Sequence, residues 1–157
     1  SISYYFRSKE SLMERAMEVA LDNAFDMGNF QESAKLPARE RLIAVLDGML
    51  AGAQQYPGIS KAFFLELLLG NKHESPMTRR CNLFLDILKR ELEAAYPQKT
   101  SAEIAMAVMA AASATFLFPG LFPGFFTLAP LPALTDEGQR KSYVRYVVTS
   151  YFKEEAA

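Results

Sequence analysis

The chain has 157 residues, half of them hydrophobic and 22% charged, which excludes a disordered polypeptide and leaves one globular domain burying roughly 70% of its unfolded surface. A net charge of −1 and an isoelectric point near 5.9 exclude a surface used mostly on nucleic acid, so any DNA contact must be local. One cysteine, Cys81, and one histidine, His73, exclude an internal disulfide and a His/Cys zinc site without outside help, and suit a reducing cytoplasm.

Strand signals are scarce, and almost every apolar stretch repeats with helical period. Ser8 is a good N-cap, and Leu12, Met13, Ala16, Val19, Ala20 and Ala24 follow it on one face. Gly28-Asn29 is expected to end that helix. Pro37 suits the first position of a second helix with Leu42, Leu46, Met49 and Ala53 inward, and Tyr56-Pro57-Gly58 breaks it. A short apolar helix is expected over 59–69, stopping near Gly70-Asn71. Ser75-Pro76 opens a fourth, whose buried stripe is Met77, Cys81, Phe84, Leu88 and Leu92; Pro97 closes it.

Thr100-Ser101-Ala102-Glu103 has the form of a capping box. The helix behind it, 104–118, carries only Ser113 and Thr115 as polar side chains and is expected to be buried all round. Thr135-Asp136-Glu137 caps a last helix with Tyr143, Val144, Tyr146, Val147, Val148, Tyr151 and Phe152 on more than one face. Six helices and no sheet define an all-α class.

No charged residue falls between 104 and 134. A membrane span is rejected, because Pro119, Gly120, Pro123, Gly124, Pro130 and Pro132 cut the run, no Lys/Arg cluster flanks it, and the helical part ends near Phe118. No secretory signal is read at the N-terminus. The aromatics Phe118, Phe122, Phe125 and Phe126 need a core, a ligand or another subunit. The small residues at 110–114 allow close helix approach, so 101–118 and 136–152 are expected to form a homodimer interface in preference to one large single-chain core.

The opening stretch "ISYYFRSKESL" places an aromatic run and Phe6 ahead of a two-residue turn, then Lys9, an acidic residue and Leu12. It resembles the end of the helix-turn-helix segment in the Tet repressor family of bacterial transcription regulators. The resemblance implies a six-helix ligand-binding and dimerisation domain of that type, preceded by the end of a recognition helix. Residues 1–30 would be the end of the DNA-binding domain and its connecting helix, and 31–157 the ligand-binding and dimerisation domain; the remaining DNA-binding helices are expected to precede Ser1. Partners implied are an operator duplex, a small-molecule effector and a second copy, with no membrane and no cofactor.

Recognition helices lie in the major groove while flanking groups hold phosphates. Tyr4, Tyr5 and Lys9 are the expected DNA contacts, with Ser3, which stands where many family members have Tyr. Lys9 sits in a first helical turn, a poor place for a cation unless a phosphate arrives. Phe6 and Leu12 are expected to be structural. For the effector pocket, Phe63, Glu66, Leu67, Phe84, Met106, Met109 and Phe116 are the candidates, forming a cavity among 63–68, 84–88 and 106–116. Glu66, among apolar neighbours, would either meet a cationic or hydrogen-bonding ligand or be an ordinary solvated or salt-bridged position, paired with Arg79 or Arg80. His73 reads as a loop residue and Cys81 as buried and inert. The expected function is a cytoplasmic, ligand-responsive repressor; the alternative is a helical lipid- or small-molecule-binding module without DNA function. No hydrolase, kinase or nucleotide-binding motif appears, so no enzyme activity is expected.

Overall fold

The computed structural model describes residues 27–70, 76–121 and 134–153, together with residues 11, 12, 15, 16 and 19. Among these residues there is helix and no strand, as the sequence periodicity requires. A short helix α1 (Met27–Glu32) runs into a 3-10 turn (Ser33–Lys35). Then come α2 (Ala38–Gln55), α3 (Pro57–Gly70) and α4 (Pro76–Ala95). Helix α5 (Ser101–Ala112) continues through a π-helical turn (Ser113–Leu117) into α6 (Phe118–Leu121), and α7 is Glu137–Tyr151.

Local chemistry sets most of these boundaries. Pro37 holds the N-cap position of α2, and Pro57 and Pro76 open α3 and α4, where a missing N–H costs nothing. At α5 the capping box is complete: Thr100 Oγ1 accepts from Glu103 N at 3.2 Å, and Thr100 N donates to Glu103 Oε2 at 2.7 Å. Asp136 Oδ1 accepts from Gln139 N at 2.9 Å and starts α7. Helix α2 lies at the centre, in contact with α3, α4, α6, the π turn and α7. Leu42, Leu46 and Leu50 along it, Leu88 and Leu92 on α4, Ile104 on α5 and Val144 and Val148 on α7 are fully buried. Each such side chain contributes roughly 1.5–3 kcal/mol relative to exposure. Phe152, just past α7, closes the core against Tyr96, ring centres 5.3 Å apart.

Two expectations are corrected. Gly28-Asn29 does not end a helix: α1 runs through both to Glu32. The cause is tertiary. Phe30 stacks on Phe84 of α4, centroids 4.3 Å apart, and that contact outweighs the weak stop signal of a glycine. Nor does Pro119 stop the helix. Its ring crowds the carbonyl four residues back and it has no N–H, so the backbone widens into the π turn and resumes as α6. A wider turn pairs each carbonyl with the residue five ahead, which for Ala114 is Pro119. The Tyr143 hydroxyl supplies the missing donor, reaching Ala114 O at 2.5 Å. Gly120 then lets α6 sit on α2: a Cβ there would stand 2.9 Å from Ala53 Cβ.

Within a single chain the helix over 104–118 is not buried all round. Met106 and Met109 are 57% and 65% exposed, while Ile104, Ala107, Val108, Ala111 and Ala112 face inward. No helix of the described residues is long and apolar enough to cross a membrane.

Candidate functional site

A cleft of about 680 Å³ opens between the 3-10 turn, α2 and the first turn of α7. Ligand sites commonly enclose roughly 300–1,000 Å³. Its floor is a strip of α2, Ala44, Val45, Gly48 and Met49. Phe30 and Leu36 form one wall, Phe84 reaches in from α4, and Glu32, Asp47, Glu137, Arg140 and Lys141 supply the charge.

Most of that charge is cancelled within the site. Arg140 Nε donates to Asp47 Oδ1 at 2.7 Å, and both side chains are 13% exposed, so this pair is well shielded from water. Lys141 Nζ donates to Glu137 Oε1 at the open rim. That bond holds the Glu137 carboxyl below its ordinary range and lifts the Lys141 ammonium above its own. Glu32 is exposed and has no partner among the described residues.

Behind the wall stands Arg41, 4% exposed. Its Nη2 donates to Phe30 O at 3.1 Å, its Nε to Ser33 Oγ at 3.3 Å, and its Nη1 to the Glu91 carboxylate of α4. The guanidinium carbon lies 4.4 Å from the Phe30 ring centre. Phe84 already covers one face of that ring, so Arg41 takes the other. Ser33 Oγ donates in turn to Phe30 O at 2.7 Å. The segment from Phe30 to Ser33 is thereby bolted to α2 and α4 through one side chain. No buried side-chain polar atom of the described residues lacks a partner.

Of the seven expected pocket residues, five have side chains among the described residues. Phe84 lines the cleft, whereas Phe116, 7% exposed, belongs to the core, and Leu67 packs half-buried against that core. Met106 and Met109 are exposed on the outer side of α5. Their helix spends its inward face on Val108 and the alanines, so the methionines are left on the other side. Phe63 and Glu66 lie on α3, and their side chains fall outside the described residues. So do Tyr4, Tyr5, Lys9, Ser3, Phe6 and His73. Leu12, expected to be structural, is 37% exposed. Cys81 is buried, and burial pushes its thiol up to about 11, with Arg80 opposing. Among the described residues no three His, Cys, Asp or Glu side chains gather in a way that could hold a metal ion.

Sequence reasoning missed Arg41, Asp47 and Arg140. Asp47 and Arg140 are far apart in the chain, and nothing local to either announces the other. Gly48 did leave a signal, since a glycine in the middle of an 18-residue helix weakens it.

Comparison of the chain with protein-family models, with curated proteins and with solved structures finds no match.

Proposed function

We propose that this chain is the regulatory part of a cytoplasmic, ligand-responsive transcription regulator of the Tet repressor type, acting as a homodimer and releasing its operator when a small amphipathic effector binds. The observation that carries the proposal is the aromatic run, Lys9 and Leu12 of the opening stretch, set directly before an all-helical body. The cleft supports it with a volume suited to a small molecule. The outward-facing Met106 and Met109 on α5, with Tyr146 and Tyr151 on α7 at 73% and 40% exposure, supply the apolar surface that a second copy would cover. An open groove along α7, lined by Gly138, Gln139, Ser142, Tyr143 and Tyr146, lies on the same exposed side of that helix as Tyr146.

The test is selection of randomised duplexes by the complete gene product, followed by titration. A recovered operator is the expected result; no enrichment above random sequence defeats the proposal. Lys9→Ala and Tyr5→Phe should weaken binding to the selected and to unrelated duplexes equally, because phosphate contacts carry no sequence information. Sedimentation should give a dimer that Met109→Glu with Tyr146→Glu dissociates. A monomer at concentrations of about tens of micromolar removes the homodimer.

A further inference from the structure

We propose that the cleft over Gly48 binds a small organic cation, its apolar body laid against α2 and its charge turned toward Glu32. This deepens the effector reading above and rests on it for the biological role, not for the binding itself.

Charge complementarity argues for a cation. The cleft is lined by three carboxylates and two cationic side chains. Asp47 and Arg140 satisfy each other, as do Glu137 and Lys141, and the charge left over is the Glu32 carboxylate. An anion would meet Arg140 and Lys141 already offset by the carboxylates beside them, and taking either cation fully would mean drawing it off its partner. A cation needs no such rearrangement. It finds Glu32 already free and Glu137 already ionised.

The floor argues for an apolar body lying close to the helix. Gly48 is exposed in the middle of α2, and a Cβ there would meet nothing within 4 Å. The fold itself therefore does not require glycine at this position, although glycine costs about 0.5–1 kcal/mol in a helix interior. Its absent side chain keeps the cleft open where Val45 and Met49 flank it. Both faces of the Phe30 ring are taken, by Phe84 and Arg41, so a ligand meets the edge of that ring. A ring edge carries partial positive charge. The cationic end is thereby kept away from Phe30 and toward the rim.

The probes are thioflavin T, a planar benzothiazolium cation, and 8-anilinonaphthalene-1-sulfonate, an anion, titrated by fluorescence into the intact chain. Gly48→Leu fills the cleft from an exposed helix position; it should melt no lower than the parent, because leucine favours helix over glycine, and it should weaken thioflavin T by at least about tenfold through steric exclusion. Glu32→Gln should weaken thioflavin T by about threefold, the scale of one exposed charge pair, and leave the sulfonate unchanged. Thioflavin T affinity within about twofold of the parent in Gly48→Leu, or no binding at all, overturns the site. Tighter binding of the sulfonate, abolished by Gly48→Leu, overturns the cation. Operator selection is unaffected by any of these results, so the inference and the regulator reading fail separately.

Discussion

Replacing Arg41 by Met should detach the segment from Phe30 to Ser33 from the helical body. The side chain is 5% exposed and serves Phe30 O, Ser33 Oγ, the Glu91 carboxylate and the Phe30 ring. A hydrogen bond from a charged donor contributes roughly 1.5–3 kcal/mol, and a stacked cation about 0.5–2 kcal/mol. Several terms reduce that sum. The Ser33 contact is long at 3.3 Å, and the Glu91 side chain is 37% exposed, so its pair is partly screened. Phe30 O keeps the Ser33 hydroxyl at 2.7 Å and is not orphaned. Met also restores much of the apolar contact. The balance is a loss of about 2 kcal/mol, or about 4–8 °C in melting temperature for a chain of this size. Circular dichroism melts measure it, and amide exchange over residues 30–36 should quicken more than exchange in α2. Glu91→Gln should cost less than about 1 kcal/mol, because Arg41 keeps its other partners. An Arg41→Met protein melting within about 1 °C of the parent refutes the arrangement. Equal losses from both variants would show that the ion pair, and not the bonds to Phe30 and Ser33, holds the segment.

Gly120→Ala should destabilise by about 1–3 kcal/mol through the 2.9 Å approach to Ala53 Cβ, and Ala53→Gly should relieve most of the loss; a raised melting temperature for the single variant refutes the close contact. Cys81 should resist a disulfide reagent at pH 8 and react at the rate of unfolding, since burial both blocks it and raises its thiol to about 11; labelling of the folded chain within minutes contradicts this. Glu40 accepts Arg145 Nη1 at 3.0 Å and Nη2 at 2.7 Å, and the first effect of that pairing is to lower its carboxyl below the ordinary 4.5. Its contribution is therefore fully present above pH 4.5 and is lost as pH falls through the lowered value. Melts of the parent should drop more steeply below pH 4.5 than melts of Glu40→Gln, and parallel curves remove the linkage.

Helix starts were readable because their causes are local. Pro37 and Pro76 act through their own rings, and Thr100, Glu103 and Asp136 reach backbone groups within the next turn, whereas Pro57, read as the break of α2, is already the first residue of α3. The buried stripes of α2 and α4 were readable for the same reason: Leu42, Leu46 and Met49, then Cys81, Phe84, Leu88 and Leu92, recur at helical spacing and all lie inside. Composition failed where it could not give direction. Helix 104–118 is apolar on every side, so nothing in it says that Met106 and Met109 turn outward while the alanines turn in. The effect of Pro119 was legible as a disturbance but not as a π turn, because the outcome depends on Tyr143, a residue of another helix whose hydroxyl rescues Ala114 O. The cleft was beyond reach for a related reason. Its wall, floor and rim come from α1, α2, α4 and α7, and its one local sign was a glycine without a structural duty.

The position of Phe30 links the cleft to the chain on its N-terminal side. Its ring edge forms part of the cleft wall, its two faces are clasped by Phe84 and Arg41, and its carbonyl is tied to Arg41 and Ser33. A ring held in that way cannot answer a ligand by turning over, because both faces would lose their contacts at once. It can answer by moving with its backbone, and the backbone it carries is α1. A ligand with unequal affinity for two settings of α1 would shift the population between them, and only by its difference in affinity. On the proposed function, the residues expected to touch DNA precede α1 in the chain, so a displacement of α1 would be passed toward them along the chain. Bonds broken at Phe30 would leave Arg41 still paired with Glu91, so a shift of the segment would not strand the buried charge.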